Sequence, residues 1–161
     1  MAKVGISLGA NLGDPLSRFR EAIRMLAPAR SSGHFLASPV FETAPVDCPP
    51  GSPPFHNAVI EIETEWDPHA LLDLTQSIET ACGRPRRRER NASRSLDLDL
   101  LYCDDLELAS ETLTLPHPRL HERAFVLVPL RFVRPDLVLD SEMPDEAMGE
   151  VVLLEGVTLA E

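Results

Sequence analysis

The sequence predicts an α+β sandwich, an antiparallel or mixed sheet flanked by helices, and three observations predict it. Segments of two-residue apolar alternation are interleaved with segments of three- and four-residue spacing, in the order strand, helix, strands, helix, strands, helix. Several connections are short and hairpin-like, which a doubly wound parallel sheet does not use. A chain of 161 residues, 43% hydrophobic, is long enough for one well-formed core and short for two, so residues 1–161 are expected to be a single domain.

The first strand is read from Lys3 to Leu8, where Val4, Ile6 and Leu8 alternate with less apolar neighbours. Gly9-Ala10-Asn11-Leu12-Gly13-Asp14 makes the turn that follows, and it is neither GxGxxG nor a P-loop, because the lysine-serine pair is missing. Asp14 is a good N-cap, Pro15 suits the first helical position, and Leu16, Phe19, Ile23 and Leu26 carry a helix to about Ala27. Phe35 to Glu42 reads as a strand in which Pro39 requires an edge or a bulge. Asn57 to Thr64 is a strand with Ala58, Ile60 and Ile62 inward and Glu61 and Glu63 outward. Asp67-Pro68 opens a second helix with Leu71, Leu72, Thr75, Ile78 and Cys82 on its buried stripe, stopped by Gly83. Leu96 to Tyr102 is the next strand, Asp104-Asp105 a turn, and Leu106 to Leu108 its expected hairpin partner. Ala124 to Val133 is read as a helix despite Pro129, and the residues after Arg134 as a short strand, a helix and a tail.

A net charge of −11 disfavours a nucleic-acid binder, which normally presents a basic face. No run of about 18 apolar residues occurs, so no membrane span is expected. The N-terminus begins like a strand and lacks the apolar stretch of a signal peptide, so a cytoplasmic location is expected. Cys48, Cys82 and Cys103 form no metal pattern and are read as reduced thiols. Nothing in the sequence sets an oligomeric state. Pro45, Pro49, Pro50, Pro53 and Pro54 gather in one segment, read as a long loop and not a domain boundary.

Against this acidic background, six arginines and one glutamate fall between Arg84 and Arg94, so the segment carries +5 and the rest of the chain −16. It runs directly into Leu96-Asp97-Leu98-Asp99-Leu100-Leu101. Alternate strand residues share a face and lie about 6.5–7 Å apart, so Asp97 and Asp99 project together while the leucines face the core. Such a pair can share two hard cations roughly 3.5–4 Å apart. Alone it is also the acidic face of an ordinary amphipathic strand. Arginine without lysine favours bidentate phosphate recognition, although a charged run is commonly a solvated turn. Metal plus polyphosphate is the reading that uses both halves of the motif, with the arginine segment as a mobile lid. His117, between Pro116 and Pro118, is expected in a rigid exposed bend with Arg123 beyond it. Phe55 and Asn57 offer an aromatic face and an amide to a flat heterocycle, and Gln76 and Glu79 sit at i, i+3 on the second helix.

Six segments in order resemble one family, the 6-hydroxymethyl-7,8-dihydropterin pyrophosphokinases of folate biosynthesis. They are Ser7–Asp14, Phe41–Pro45, Phe55–Ala58, Gln76–Glu79 with Gly83-Arg84, Arg94–Leu101 and Leu115–Phe125. The resemblance implies a ferredoxin-like sandwich and transfer of the terminal pyrophosphoryl group of ATP to the pterin hydroxymethyl, with release of AMP. It implies two Mg²⁺ ions on Asp97 and Asp99, with Arg84 and Arg94 as catalytic residues at the transferring phosphates. Gln76, Glu79, His117 and Arg123 would bind ATP. Thr43, Val46, Phe55, Asn57 and Phe125 would form the pterin slot, with the two phenylalanines stacking on the ring. Asn91 stands where some members have an aromatic, and Ala92-Ser93 where many have Gly-Pro, which bears on lid closure. Two other readings stay open: a two-metal nucleotidyltransferase, which would release pyrophosphate, and a non-catalytic ferredoxin-like module.

Overall fold

A computed structural model describes residues 1–11, 13–43, 54–82, 96–138, 151–154 and 159. The elements are β1 (Ala2–Ala10), α1 (Pro15–Met25), β2 (Phe35–Ala37), β3 (Phe41–Thr43), β4 (Phe55–Thr64), α2 (Pro68–Ala81), β5 (Asp97–Cys103), β6 (Leu108–Ala109), β7 (Thr114–Leu115), α3 (Ala124–Val133) and β8 (Val151–Leu153). The main sheet has the order β5-β1-β4-β3-β8, with β2 also on β4, and every pairing is antiparallel. Counting β2 and β3 as one interrupted strand, this is the βαββαβ ferredoxin-like arrangement, with β5 returning beside β1. The expected fold class is therefore found, and the sheet is antiparallel throughout its described pairings.

Both early helices start as their sequences require. The Asp14 carboxylate accepts from Ser17 N–H at 3.3 Å, and Asp67 accepts from His69 N–H at 3.0 Å, each satisfying an amide that has no helical partner. Phe19, Ala22 and Ile23 of α1, with Leu71 and Ile78 of α2, bury against Val4, Ile6 and Leu8 on one face of the sheet. On the opposite face α3 packs Val126, Leu127 and Leu130 over Val59, Leu101 and Tyr102. The sheet is thus covered on both sides. No helix among the described residues is long and apolar enough to cross a membrane.

The expected strand from Phe35 to Glu42 is split at Ser38-Pro39-Val40. Ala37 pairs with Ile60 and Phe41 with Asn57, so three residues on one side face two on the other. Pro39 supplies no amide, and Ser38 bridges the gap: its N–H donates to the Val59 carbonyl at 2.8 Å and its Oγ accepts from Val59 N–H at 2.9 Å.

Two expectations are corrected. Leu106 to Leu108 does not return along β5; Leu108 pairs with Leu115 in a separate small hairpin of β6 and β7. The Asp104-Asp105 turn is present, but Asp104 is directed back to β1, where its Oδ1 accepts from Lys3 N–H at 2.9 Å. Glu61 is outward only with respect to the first core. It is 1% exposed beneath α3, where Tyr102 Oη donates to it at 2.7 Å, Arg134 Nη1 at 3.0 Å, and His34 Nε2 lies 2.7 Å away. The helix expected in the acidic C-terminal region falls largely on residues outside the described ones.

Gly5 shows what the sheet requires of a small residue. A Cβ there would overlap ring carbons of Tyr102 on the adjacent strand. Gly5→Ala is expected to lower stability by about 1–3 kcal/mol through overpacking, read as a lower urea midpoint; an unchanged midpoint would mean that the ring has room to step aside.

Candidate active site

The site begins with an irregularity in β5. Gly5 pairs with Tyr102 and Ile6 with Leu100, so Leu101 is an extra residue in β5. Ahead of this bulge Leu96, Leu98 and Leu100 lie in the α1–α2 core, whereas Leu101 and Tyr102 both join the α3 cluster. Asp97 and Asp99 consequently project from the α3 face, as the alternation predicts, and each is half-buried. Among the described residues β5 is an edge of the sheet, so the pair sits at the sheet's rim.

That rim opens on a cavity of ≈ 380 Å³ between α2, β5 and the β6–β7 hairpin, a size suited to a small-molecule ligand. Gln76, Glu79, Asp97, Asp99 and His117 all line it. Five of the expected site residues are therefore brought together from three separate segments. A sixth, Arg123, places Nη1 3.7 Å from Asp99 Oδ2 and its guanidinium 5.6 Å from the Phe125 ring centroid.

His117 differs from expectation: it is half-buried and not in an exposed bend. The Leu115–Pro116 bond before it is cis. Its own N–H donates to the Leu101 carbonyl at 2.8 Å, and its Nδ1 accepts from Arg119 N–H at 3.1 Å. A ring with Nδ1 as acceptor carries its proton on Nε2 when neutral. Burial lowers the His117 pKa below the ordinary value, opposed by Asp99 and reinforced by Arg123 and Arg119, so the neutral ring is the form at neutral pH.

Glu79, expected at the ATP, lies against β5. It is 4% exposed, and its Oε2 accepts from Leu98 N–H at 2.9 Å. Gln76, one turn earlier, is exposed at the cavity.

Of the residues expected at the pterin, the described ones, Thr43, Phe55, Asn57 and Phe125, lie on the α3 side of the sheet. Asn57 pairs with Gly9 on one side and Asp97 with Gly9 on the other, so two strand spacings, roughly 10 Å, separate them along one row. Asn57 is buried, and its Nδ2 donates to Thr43 Oγ1 at 3.0 Å. Gly9 leaves space beside it: a Cβ at that position would stand 3.3 Å from Asn57 Oδ1. Phe55 is half-buried and Phe125 is 37% exposed. Val46, Arg84, Arg94 and the whole proposed lid lie outside the described residues.

One part of the site was missed from the sequence. The Ser110–Thr114 segment forms a cavity wall, folded by Ser110 Oγ, which accepts from Leu113 N–H and donates to its carbonyl, both at 3.0 Å. His69 Nε2 at the start of α2 lies 3.1 Å from the same Oγ. A serine three residues before a buried leucine was the available signal, and it is common in loops.

A sheet with helices on both faces and a carboxylate pair on its edge strand, facing a polar cavity with a histidine and an arginine at its border, defines an α+β protein with a small-molecule site at the sheet edge. The 7,8-dihydro-6-hydroxymethylpterin-pyrophosphokinase family model matches residues 5–135. The chain is 37% identical over 151 residues to a 2-amino-4-hydroxy-6-hydroxymethyldihydropteridine pyrophosphokinase of Methylorubrum extorquens, covering 94% of each chain. It is 39% identical to the Haemophilus influenzae protein of that name, covering 83% of this chain and 82% of the other. The chain belongs to this pyrophosphokinase family. Among solved structures, a Plasmodium falciparum HPPK-DHPS with pteroate aligns with a TM-score of 0.62 at 13% identity, over 81% of this chain and 38% of that one. This likeness carries the fold alone, and the chain spans well under half of that protein.

Proposed function

We propose that this chain transfers the terminal diphosphoryl group of ATP to the hydroxymethyl oxygen of 6-hydroxymethyl-7,8-dihydropterin, releasing AMP, as a step of folate biosynthesis. The observation that carries the reading is the placement of Asp97 and Asp99 at a cavity shared with Gln76, Glu79 and His117, in a chain of this family.

The donor set suits Mg²⁺. That ion is ordinarily held by one or two carboxylates together with substrate phosphates and water. Asp97 and Asp99 are two half-exposed oxygen donors on one strand face, and we assign them two such ions. Bound there, the ions would neutralise polyphosphate charge and polarise the transferring group.

The remaining work falls to side chains. The neutral His117 ring, its Nδ1 taken up by Arg119 N–H and its pKa lowered by burial, offers Nε2–H as a hydrogen-bond donor to a phosphate oxygen. Arg123, held at Asp99, supplies a permanent positive charge beside the carboxylates. Gln76 faces the nucleotide from α2. Arg84 and Arg94 are assigned to the transferring phosphates on the motif that carries them, and Val46 to the pterin slot. Asn57, oriented by Thr43, reads the polar edge of the pterin, with Phe55 and Phe125 against its faces. With ATP at the β5 edge and the pterin on the α3 face, the carboxylates lie between the substrates. Holding both in line removes much of the entropic barrier.

The reading is tested by chromatography of the nucleotide products. With Mg-ATP and the pterin, AMP is expected in equal amount to the phosphorylated pterin. Release of pyrophosphate would place the chain with nucleotidyltransferases, and no turnover at all would leave it a binding module.

A further inference from the structure

We infer that Glu79 is a positioning residue for the carboxylate pair, acting through the main chain of β5 and not as a ligand of ATP. The inference rests on the reading that Asp97 and Asp99 hold the metal-bound polyphosphate.

Among the described residues β5 pairs on one side only, with β1. In an antiparallel ladder, successive residues alternate between those whose N–H and C=O face the partner strand and those whose groups face away. Asp97 and Asp99 stand opposite Gly9 and Ser7, and Leu98 opposite Leu8. The Leu98 amide points away from β1, because it donates to Glu79 Oε2 at 2.9 Å. Glu79 therefore stands where an acceptor of a neighbouring strand would, at the amide of Leu98, the one residue between the two aspartates. That bond fixes the peptide plane from which Asp97 projects and restrains the pleat that sets the Asp97–Asp99 separation.

Two further features favour this role. Glu79 is 4% exposed, and a polar side chain is withdrawn from water only where hydrogen bonds compensate its desolvation. In addition, a second outward group of β5 is secured from the same cavity: His117 N–H donates to the Leu101 carbonyl at 2.8 Å. The edge strand is tied on both sides of Asp99 by residues that line the nucleotide cavity. A negative side chain directed at polyphosphate would repel it; one turned to the backbone organises the cations' ligands.

The test compares Glu79→Ala with Glu79→Gln in the full-length chain. The glutamine amide oxygen still accepts from Leu98, whereas alanine leaves the amide without this partner. For Glu79→Ala, kcat is expected to fall about 10–100-fold, with a comparable rise in the Mg²⁺ concentration for half-activation, as for loss of a group orienting metal ligands. KM for ATP should move by less than about threefold, since the nucleotide loses no contact. Glu79→Gln should recover kcat and Mg²⁺ dependence to within about fivefold. Equal impairment of the two variants, or a loss confined to KM for ATP, would overturn the inference. If Glu79→Ala does not fold, Glu79→Gln decides alone: near-wild-type turnover supports the anchor, and a loss beyond about 100-fold refutes it. Amide exchange at Leu98 without ligands is the readout that does not depend on turnover. Slow exchange in the wild type and in Glu79→Gln is expected, and fast exchange in either would defeat the anchor. Absence of AMP from the wild-type chain would instead defeat the proposed reaction.

Discussion

Replacing Asp97 or Asp99 by alanine is expected to slow AMP formation on the order of 10³-fold while leaving the fold intact. A loss of that size corresponds to about 4 kcal/mol of transition-state stabilisation, the scale associated with removing a group that stabilises developing charge. Asparagine at either position should fare little better, because the amide keeps the shape but not the charge that holds a hard cation. Stability should hardly change. Both carboxylates are half-exposed at a sheet edge, and the Asp99–Arg123 pair at 3.7 Å is partly solvated, so its contribution is about 1 kcal/mol or less. Steady-state rates with saturating Mg²⁺ and both substrates, beside a thermal melt, separate the two effects. An Asp97→Ala enzyme with unchanged turnover would show that the strand's acidic face is merely solvated.

The largest stability effect is expected at Glu61, away from that chemistry. Glu61→Ala should destabilise the fold by about 3 kcal/mol, the low end for removing one partner of a buried ion pair. The low end applies because Arg134, 26% exposed, would keep Asp136 at 2.7 and 2.9 Å. For a chain of this size that is a fall in melting temperature of roughly 10 °C. The same residue makes a pH prediction. Burial pushes the Glu61 carboxyl upward, but hydrogen bonds from Tyr102, His34 and Arg134 outweigh it and hold the pKa below its ordinary 4.5. A depressed carboxylate contributes stability that is complete above the unfolded value and is lost as pH falls through the folded one. The wild type should therefore lose stability below pH 4.5 more steeply than Glu61→Gln. Parallel urea midpoints for the two proteins across that range would contradict the assignment.

Much of the fold was legible because local chemistry and tertiary packing agree. Asp14-Pro15 and Asp67-Pro68 are local helix-start signals that the packing of α1 and α2 reinforces, and β1 is as apolar on alternate positions as a core strand needs to be. Glu61 was misread because alternation reports that a strand has two faces and not what covers the second; α3, sixty residues later, makes that face an interior. The β5 partner was misplaced for a related reason. Asp104-Asp105 is a true turn, but the segment after it pairs with β7 and not with β5, and sequence spacing does not say which strand a short apolar run will choose. The shared face of Asp97 and Asp99 at the cavity was legible from strand periodicity, and His117 and Arg123, which lie beside them, were singled out through the motif. The backbone role of Glu79 was not legible, since a carboxylate at i+3 from a glutamine looks like any solvated helix position until the helix is docked against β5.

The most direct test follows the phosphorus atoms. ATP labelled at its β phosphorus, incubated with the full chain, Mg²⁺ and 6-hydroxymethyl-7,8-dihydropterin, should deliver its label to the pterin product and leave AMP unlabelled. Label recovered in ADP or in free pyrophosphate, with none on the pterin, would contradict diphosphoryl transfer at the Asp97–Asp99 edge.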